Sequence, residues 1–230
     1  MKGLLYRIST KSDGNMADKF GEEDAHANQE KFLKTLGAKR EDMASLLPQH
    51  ADKIVRVGRD RCGTSIAAEA LMTDETDVVL ALPTADCFPV ALYDGKHRAI
   101  ALAHCGWRPT GLGLPRKTIE AMTETFGTNP KDVCAFIGPG IHPESYIVEG
   151  VEQVQDPAWA KYLAPEGTQM RVDVFGYLYD QLISVGVPCG QIDVDPVDTA
   201  MANEYFSHYR SVRTGEAEGR FMTVIALEKE

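Results

Sequence analysis

Residues 84–108 read TADCFPVALYDGKHRAIALAHCGWR, and they form the most informative stretch of the chain. Two apolar runs, residues 88–93 and 99–103, flank the turn sequence Asp94-Gly95-Lys96. Short apolar runs bounded by turn residues are typical of buried strands, and a short connection that contains Gly favours a hairpin. The stretch therefore predicts two paired strands inside a sheet.

Side chains that bind metals stand at the open end of this hairpin. Cys87 precedes the first strand and His104 follows the second, so pairing of the strands would bring the thiol and the imidazole together. His50 precedes another apolar stretch, residues 53–57, which is a further predicted strand. Three N and S ligands, with a fourth position free for water or substrate, suit a divalent metal ion. His50, Cys87 and His104 are therefore the predicted metal ligands.

The composition favours one domain that acts on a small molecule. The chain has 230 residues, 43% of them hydrophobic, and no Ser/Gly/Pro-rich linker divides residues 1–230. The formal net charge of -10 argues against nucleic acid and against an anionic membrane as partners, because both require clustered Lys and Arg. We expect a small soluble substrate, and an acidic single-domain protein can function as a monomer.

The sequence also predicts where the protein resides. No apolar stretch approaches the roughly 20 residues of a membrane span, and the apolar part of residues 1–7 is too short for a secretory signal. The five cysteines are an odd number without a CxxC pair, which suits reduced thiols. We therefore expect a cytoplasmic protein in which Cys87 is free to bind a metal.

Elsewhere the chain alternates between helical and strand patterns. Helices are predicted at residues 22–36, 115–126 and 175–185, the first and last of them followed by a Gly cap. Further strands are predicted at residues 78–82, 133–137 and 221–227. Residues 151–169 have weaker periodicity and are interpreted as a loop over the site.

Motifs spread over nearly the whole chain carry a family resemblance. In chain order they are Pro48-Gln49-His50, Thr84-Ala85-Asp86-Cys87-Phe88-Pro89, His104-Cys105-Gly106-Trp107-Arg108, Ile137-Gly138-Pro139, Tyr146-Ile147-Val148, Phe206-Ser207-His208-Tyr209-Arg210 and Gly219-Arg220, with a weaker match at Asp13-Gly14-Asn15-Met16 and Asn28. The set resembles the laccase-domain family, also called polyphenol oxidases or YfiH-type purine nucleoside phosphorylases. The resemblance implies an α+β fold, a mixed-sheet α/β/β/α layered sandwich in a single domain, with a Zn site formed by His50, Cys87 and His104.

The resemblance also implies an activity. Members are associated with phosphorolysis of adenosine, inosine, guanosine and methylthioadenosine, and with adenosine deamination, so a purine nucleoside and phosphate are the expected partners. Asp86 and Arg108 join the three ligands as candidate catalytic residues, to orient a ligand or bind ribose and to hold phosphate, respectively. Asp86 could equally cap a turn, and Arg108 could equally form a surface ion pair.

Three further side chains are candidates for substrate binding. Arg210 is a candidate phosphate ligand, Asn15 a polar contact in the N-terminal loop, and Tyr146 a stacking partner or a wall of the pocket. The chain also departs from the family pattern at three positions. Glu69 stands where aspartate is usual, Pro109 where glycine is usual, and Gln29 where an arginine is frequent. The missing arginine places phosphate or substrate binding near Gln29 in doubt.

Other functions remain open at this stage. The family name suggests a copper-dependent phenol oxidase, but a multicopper centre needs many imidazoles and the chain has six histidines without a His-x-His pair. A non-enzymatic metal-binding or nucleotide-binding protein, or a cell-wall quality-control factor, would bind the metal without turnover. A thiol hydrolase with Cys87 as nucleophile and His104 as base would remain active after chelation.

Overall fold

The computed structural model describes residues 3–150 and 156–228, and two stacked sheets form its centre. The first sheet has the order β1-β14-β6-β2-β4, built from Leu4–Ile8, Phe221–Leu227, Val79–Thr84, Met43–Leu47 and Thr64–Ala67. The second has the order β13-β9-β7-β8-β5-β3, built from Ile192–Val194, Val133–Ile137, Phe88–Asp94, Ala99–Cys105, Ala70–Thr73 and Ile54–Arg56. Both sheets contain parallel and antiparallel pairs.

Helices cover the outer faces of the two sheets. The α-helices are α1 Glu22–Thr35, α2 Trp107–Gly111, α3 Leu114–Phe126, α4 Val174–Val185 and α5 His208–Thr214. Phe32 and Leu33 of α1 pack on the first sheet, whereas α3 and α4 pack on the second. The core between the sheets contains side chains of both, among them Leu80 and Leu102. The predicted α/β/β/α sandwich is thus confirmed.

Side-chain alternation along the strands explains this layering. In β8, Ile100 and Leu102 face the core between the sheets, while Ala101, Ala103 and Cys105 face the layer with α3 and α4. Successive side chains of a strand point to opposite faces, so a strand that is apolar throughout can be buried on both. All seven residues of β8 are buried.

The predicted hairpin is confirmed, with its turn at the end remote from Cys87. Strands β7 and β8 are antiparallel, with Asp94 paired to Ala99 beside the turn and Pro89 paired to His104 at the other end. The predicted helices and strands elsewhere match α1, α3, α4, β6, β9 and β14 to within two residues at each end. These segments combine strong periodicity with clear end signals, such as Pro115 in the first turn of α3 and a left-handed Gly127 after it.

The predicted loop at residues 151–169 is wrong in its second half, and residues 151–155 lie outside the described part of the chain. A 3-10 turn at Pro157–Tyr162 precedes β11 (Leu163–Glu166) and β12 (Gln169–Val172), which pair with β10 (Ile147–Val148) in a small third sheet. Trp159 is buried against the α3 and α4 layer, which anchors this segment. Among the described residues, no helix has the length and apolar character needed to cross a membrane.

Candidate active site

Cys87 and His104 are in direct contact at the end of the β7–β8 hairpin. A Cβ added at Gly106 would lie 2.7 Å from the Cys87 Sγ and 3.7 Å from the His104 Cε1, so the two side chains lie side by side. The buried His104 donates from Nδ1 to Oε2 of Glu69 across 2.8 Å. Burial alone would lower the pKa of His104, but the neighbouring Cys87 sulfur and Glu69 carboxylate outweigh it and raise the pKa to about 9. In the neutral imidazole, the Glu69 bond keeps the proton on Nδ1 and leaves Nε2 as the nitrogen available to a ligand.

His50 lies beside this pair on the loop between β2 and β3. Its ring centroid is 5.6 Å from that of His104, and its backbone has a φ of +59°, a conformation that costs energy for any residue except glycine. Oε1 of Glu69 accepts hydrogen bonds from the backbone N–H groups of Gln49 and Ala51, which flank His50. Partial burial, and then the charge of His104, lowers the pKa of His50. One carboxylate therefore holds both histidines.

The donor set fits a zinc ion in its chemistry. A histidine ligand that donates its second ring N–H to a carboxylate is the usual arrangement at zinc, and Glu69 provides this for His104. Two imidazole ligands at a tetrahedral ion have ring centroids roughly 5 Å apart, close to the separation observed here. In residues 3–150 and 156–228, however, no three His, Cys, Asp or Glu side chains already form a compact metal-binding group. The zinc site stays a prediction.

Asp86 supports the site from behind. Its backbone also has a positive φ, +74°, and its carboxylate turns towards α5, where it accepts from the Thr199 hydroxyl and from the Tyr209 backbone N–H, both at 2.7 Å. A carboxylate at a helix N-terminus is favourably placed, since the free N–H groups and the helix dipole attract negative charge. Asp86 therefore fixes α5 against the loop that carries Cys87. These contacts resemble the capping role that the sequence left open for Asp86, although the element that is capped is a helix and not a turn.

Two cavities meet at the Cys87 and His50 side chains. One has a volume of about 440 Å³ and the other about 420 Å³, and both are lined by His50, Ala85, Cys87 and His208. The first, called the cationic cavity below, extends towards Lys19, Arg40 and Arg220. The second, called the aromatic cavity, is lined by Trp107, Arg108, Tyr146, Tyr209 and Arg213. The junction of two cavities offers a place where two substrates could meet.

Tyr146 and Arg108 both line the aromatic cavity, and the phosphate contact expected of Arg108 remains a prediction. Arg108 stacks on the Trp107 ring at 4.0 Å, and Tyr146 meets Tyr209 edge to face. Burial, and then the charges of Cys87 and Asp86, raises the pKa of Tyr146 to about 12, so its phenol is an O–H donor at neutral pH. Flat cationic and aromatic groups side by side suit a planar heterocycle.

Asn15 and Arg210 line neither cavity. The Asn15 side chain bonds to the backbone of Ala17 and Arg220, and so shapes the loop beside the cationic cavity. The Arg210 guanidinium donates to the carbonyl oxygens of Thr199, Ala202 and Tyr205 and to Glu216. Both side chains thus have structural partners, and the substrate contacts expected of them remain predictions.

Sequence reasoning assigned no role to several residues that the structure places at the site, among them Glu69, Arg40 and Arg220. Glu69 was noted only as a departure from the family pattern, and an isolated glutamate carries no sequence signal for binding a histidine 35 positions away. Arg40 reaches the cationic cavity from a 3-10 turn (Arg40–Asp42), outside every motif. Arg220 follows Gly219 immediately before β14, where its proximity to Cys87 depends on the tertiary fold.

Known proteins similar to this chain include enzymes. The chain is 35% identical to a purine nucleoside phosphorylase of Bacteroides thetaiotaomicron over 167 residues, which are 70% of this chain and 61% of that protein. It is 30% identical over 163 residues to purine nucleoside phosphorylase YfiH of Escherichia coli, and the match covers 69% of this chain and 64% of that protein. The chain thus matches only part of these relatives: 61% of the length of the Bacteroides protein and 60% of the length of purine nucleoside phosphorylase YlmD of Bacillus subtilis.

Solved structures share the whole fold. YfiH of Bacillus licheniformis superposes with a TM-score of 0.89 at 25% identity, covering 98% of this chain and 93% of that one. YlmD of Geobacillus stearothermophilus gives a TM-score of 0.88 at 26% identity, covering 99% and 93%. The family model described as multi-copper polyphenol oxidoreductase laccase matches residues 9–228. With this match, and with the sandwich and its paired Cys87 and His104, the chain belongs to the laccase-domain family.

Proposed function

We propose that the protein is a Zn-dependent purine nucleoside phosphorylase that accepts adenosine, inosine, guanosine and methylthioadenosine, and that it also deaminates adenosine. The observation that carries the proposal is the meeting of a cationic and an aromatic cavity at His50 and Cys87. Phosphorolysis needs an anion and a planar base on opposite sides of the ribose, and these cavities have the matching chemistry. The names of the relatives support the same reaction.

The reaction can be followed through the two cavities. The purine stacks in the aromatic cavity against Tyr146 and the guanidinium groups of Arg108 and Arg213, and the ribose lies at the junction. An oxygen of phosphate forms a bond to C1′ while the bond from C1′ to N9 breaks. The electron pair of that bond leaves with the purine, which takes up the proton that the attacking hydrogen phosphate ion gives up, and the products are the free base and ribose 1-phosphate. Donors around the base stabilise the negative charge that develops on it.

His50, Cys87 and His104 would hold the zinc ion, and Glu69 would orient His104 towards it. When bound, such an ion supplies a Lewis acid beside the reacting ribose or base. Deamination requires a different pose, with C6 of adenine rather than C1′ at the junction, and a water in place of phosphate. Both poses use the same walls, so a single site supports both reactions.

The test is chromatography of products after incubation of zinc-loaded protein with adenosine and with inosine, each with and without phosphate. Phosphate-dependent release of base with ribose 1-phosphate, and inosine from adenosine, are expected, and both should disappear in His104→Ala. A copper-loaded sample with a phenol substrate tests the oxidase alternative, and an EDTA-treated sample tests the thiol hydrolase. Intact nucleosides at one bound zinc per chain would refute the proposal and favour a binding role.

A further inference from the structure

The cationic cavity concentrates positive charge in an acidic protein. The chain has a formal net charge of -10, yet this cavity is lined by Lys19, Arg40 and Arg220 and by one carboxylate, that of Asp18. Asp18 lies 3.4 Å from the Nε2 of His26, a residue outside the cavity lining. Cations gathered in a recess focus an electrostatic field that attracts anions. The cavity is thus chemically suited to a small anion.

Arg220 has a partly buried guanidinium whose charge no carboxylate within ion-pair distance balances in the described part of the chain. No ion pair of the described residues includes it; Nη1 donates to the Gly219 carbonyl at 2.7 Å, and the group stacks on Phe20 at 4.8 Å. Burial lowers the pKa of Arg220, whereas Glu218, Cys87 and Asp86 oppose that shift through space. A desolvated cation of this kind gains stability from an anionic ligand. Arg220 and Cys87 line the same cavity.

Arg40 is held in the same cavity by the side chains of Gln29 and His26. Its Nε donates to Oε1 of Gln29 at 3.0 Å, and Nη2 lies 2.7 Å from His26 Nε2. The buried Gln29 is itself fixed by a 2.8 Å bond from Nε2 to the Met16 carbonyl. No carboxylate within ion-pair distance neutralises Arg40 in the described part of the chain. The guanidinium is therefore oriented while its charge stays available, which is the arrangement of an anion ligand.

We propose that Arg40 and Arg220 form the binding site for inorganic phosphate, with Gln29 as the residue that positions Arg40. The inference rests on the proposed function for the identity of the anion, whereas the site itself rests on the geometry of the cavity. In this proposal, Gln29, which stands where relatives often have an arginine, does not bind the anion itself. It orients Arg40, which comes from the 3-10 turn after α1 and supplies the guanidinium instead. Phosphate bound here would attack from one cavity while the base occupies the other.

A phosphate group could reach these arginines from two sources, as inorganic phosphate or as the 5′-phosphate of a nucleotide. Inorganic phosphate is favoured because the two cavities join at Cys87, so the anion and the base arrive on different sides of the ribose. A nucleotide would have to span both cavities through its own 5′ carbon. Titration with inorganic phosphate and with inosine 5′-monophosphate distinguishes the two.

The experiment is a thermal-shift titration of metal-stripped protein at constant ionic strength, with inorganic phosphate or inosine 5′-monophosphate as the probe. A ligand that binds only the folded state raises Tm with concentration, which yields a Kd without any turnover. Arg40→Gln and Arg220→Gln should each weaken phosphate binding about 10-fold to 100-fold, as expected for loss of a charge-assisted bond. Arg7→Gln, at an exposed arginine of β1 outside both cavities, is the matched control and should bind as wild type.

Kinetics add a readout that a purely structural role would not change. In both arginine variants the KM for phosphate should rise by a similar factor while the KM for inosine stays within about twofold. Gln29→Leu should weaken phosphate binding less than Arg40→Gln, and Gln29→Glu, which keeps the hydrogen-bond acceptor but pairs with the guanidinium charge, should weaken it at least as much as Gln29→Leu.

The outcomes separate this inference from the proposed function. Arginine-dependent phosphate binding without nucleoside turnover would support the site and refute the phosphorylase. Phosphate binding that is unchanged in both variants, with Tm and turnover intact, would overturn the site while leaving the phosphorylase standing. Tighter, arginine-dependent binding of inosine 5′-monophosphate than of inorganic phosphate would overturn the assignment to inorganic phosphate.

Discussion

Replacing Glu69 by glutamine should weaken zinc binding strongly while it lowers the stability of the fold only modestly. The fully buried Glu69 accepts three hydrogen bonds, from His104 Nδ1 and from the backbone N–H groups of Gln49 and Ala51. In Glu69→Gln the amide oxygen can keep the backbone bonds, while the amide NH₂ must face His104. That donor forces the proton of the imidazole from Nδ1 to Nε2, and a protonated Nε2 has no lone pair for a metal.

The magnitude follows from the bonds that lose their charge. A hydrogen bond to a charged group contributes about 1 kcal/mol more than a neutral one, so three bonds lose about 3 kcal/mol. The neutral amide is cheaper to bury, which offsets part of that loss, and we expect a net cost of about 2 kcal/mol. For a chain of this size that corresponds to a fall in Tm of about 4–8 °C. Zinc affinity should fall about 10-fold to 100-fold, as for other partners of histidine ligands.

Competition with a chromophoric chelator measures zinc affinity, and calorimetry on the metal-free protein measures Tm. Glu69→Asp is the control, because it keeps the charge and the direction of the proton but shortens the side chain by one methylene. It should retain more zinc affinity than Glu69→Gln even where its Tm is lower. Zinc affinity in Glu69→Gln within twofold of wild type would refute the tautomer argument and with it the assignment of His104 as a ligand.

Three further outcomes are expected. Gly106→Ala should abolish zinc binding and activity, because its Cβ would meet the Cys87 Sγ at 2.7 Å. The same clash should lower the free energy of unfolding by about 1–3 kcal/mol. Gly190→Ala, with no atom within 4 Å of the new Cβ, is the control and should be neutral in the same assays. Burial would raise the pKa of Asp94, but hydrogen bonds from a histidine ring and two backbone N–H groups lower it. The stability that the Asp94 carboxylate contributes is therefore complete above pH 3.8 and is lost as pH falls through the lower folded pKa. The difference in Tm between wild type and Asp94→Asn should be largest near neutral pH and disappear in acid, and a difference independent of pH would contradict this. Arg210→Met should lower Tm by about 4–16 °C, because three backbone carbonyl groups lose their hydrogen-bond donor. The KM for phosphate should stay unchanged. A raised KM in a variant that keeps its Tm would instead support the role in phosphate binding that the sequence predicts for Arg210.

The sequence predicts the parts of the fold that depend on local pattern. The hairpin, α3 and β14 each combine a continuous apolar period with a turn or cap residue at the boundary, and their ends were predicted to within two residues. Strands β2 and β5 were missed because their short apolar runs have no distinctive boundary, and they become strands by pairing with β6 and β8. Short segments of this kind are decided by tertiary contacts rather than by propensity.

The same division holds for the site. The pairing of Cys87 with His104 was predictable, since both flank one hairpin. Which arginines face a cavity was not predictable, because a motif specifies a residue but not the direction of its side chain. Arg210 belongs to a recognisable motif and is consumed by backbone carbonyls, whereas Arg40 belongs to none and lines the cavity.

Strand register explains why the site forms at one edge of the second sheet. Pairing of β7 with β8 places His104 opposite Pro89, two residues after Cys87, and pairing of β5 with β8 places Ala70 opposite Ala103, so that Glu69 comes alongside His104. Even-numbered residues of β8 face the core between the sheets, so His104 stands where that core ends and the cationic cavity begins. A slip of one residue would turn His104 to the layer of α3 and α4 and bring Cys105 to the cavity. Which side chain of β8 faces the predicted metal site is therefore set by the apolar packing of the whole hairpin, including its turn roughly 20 Å away.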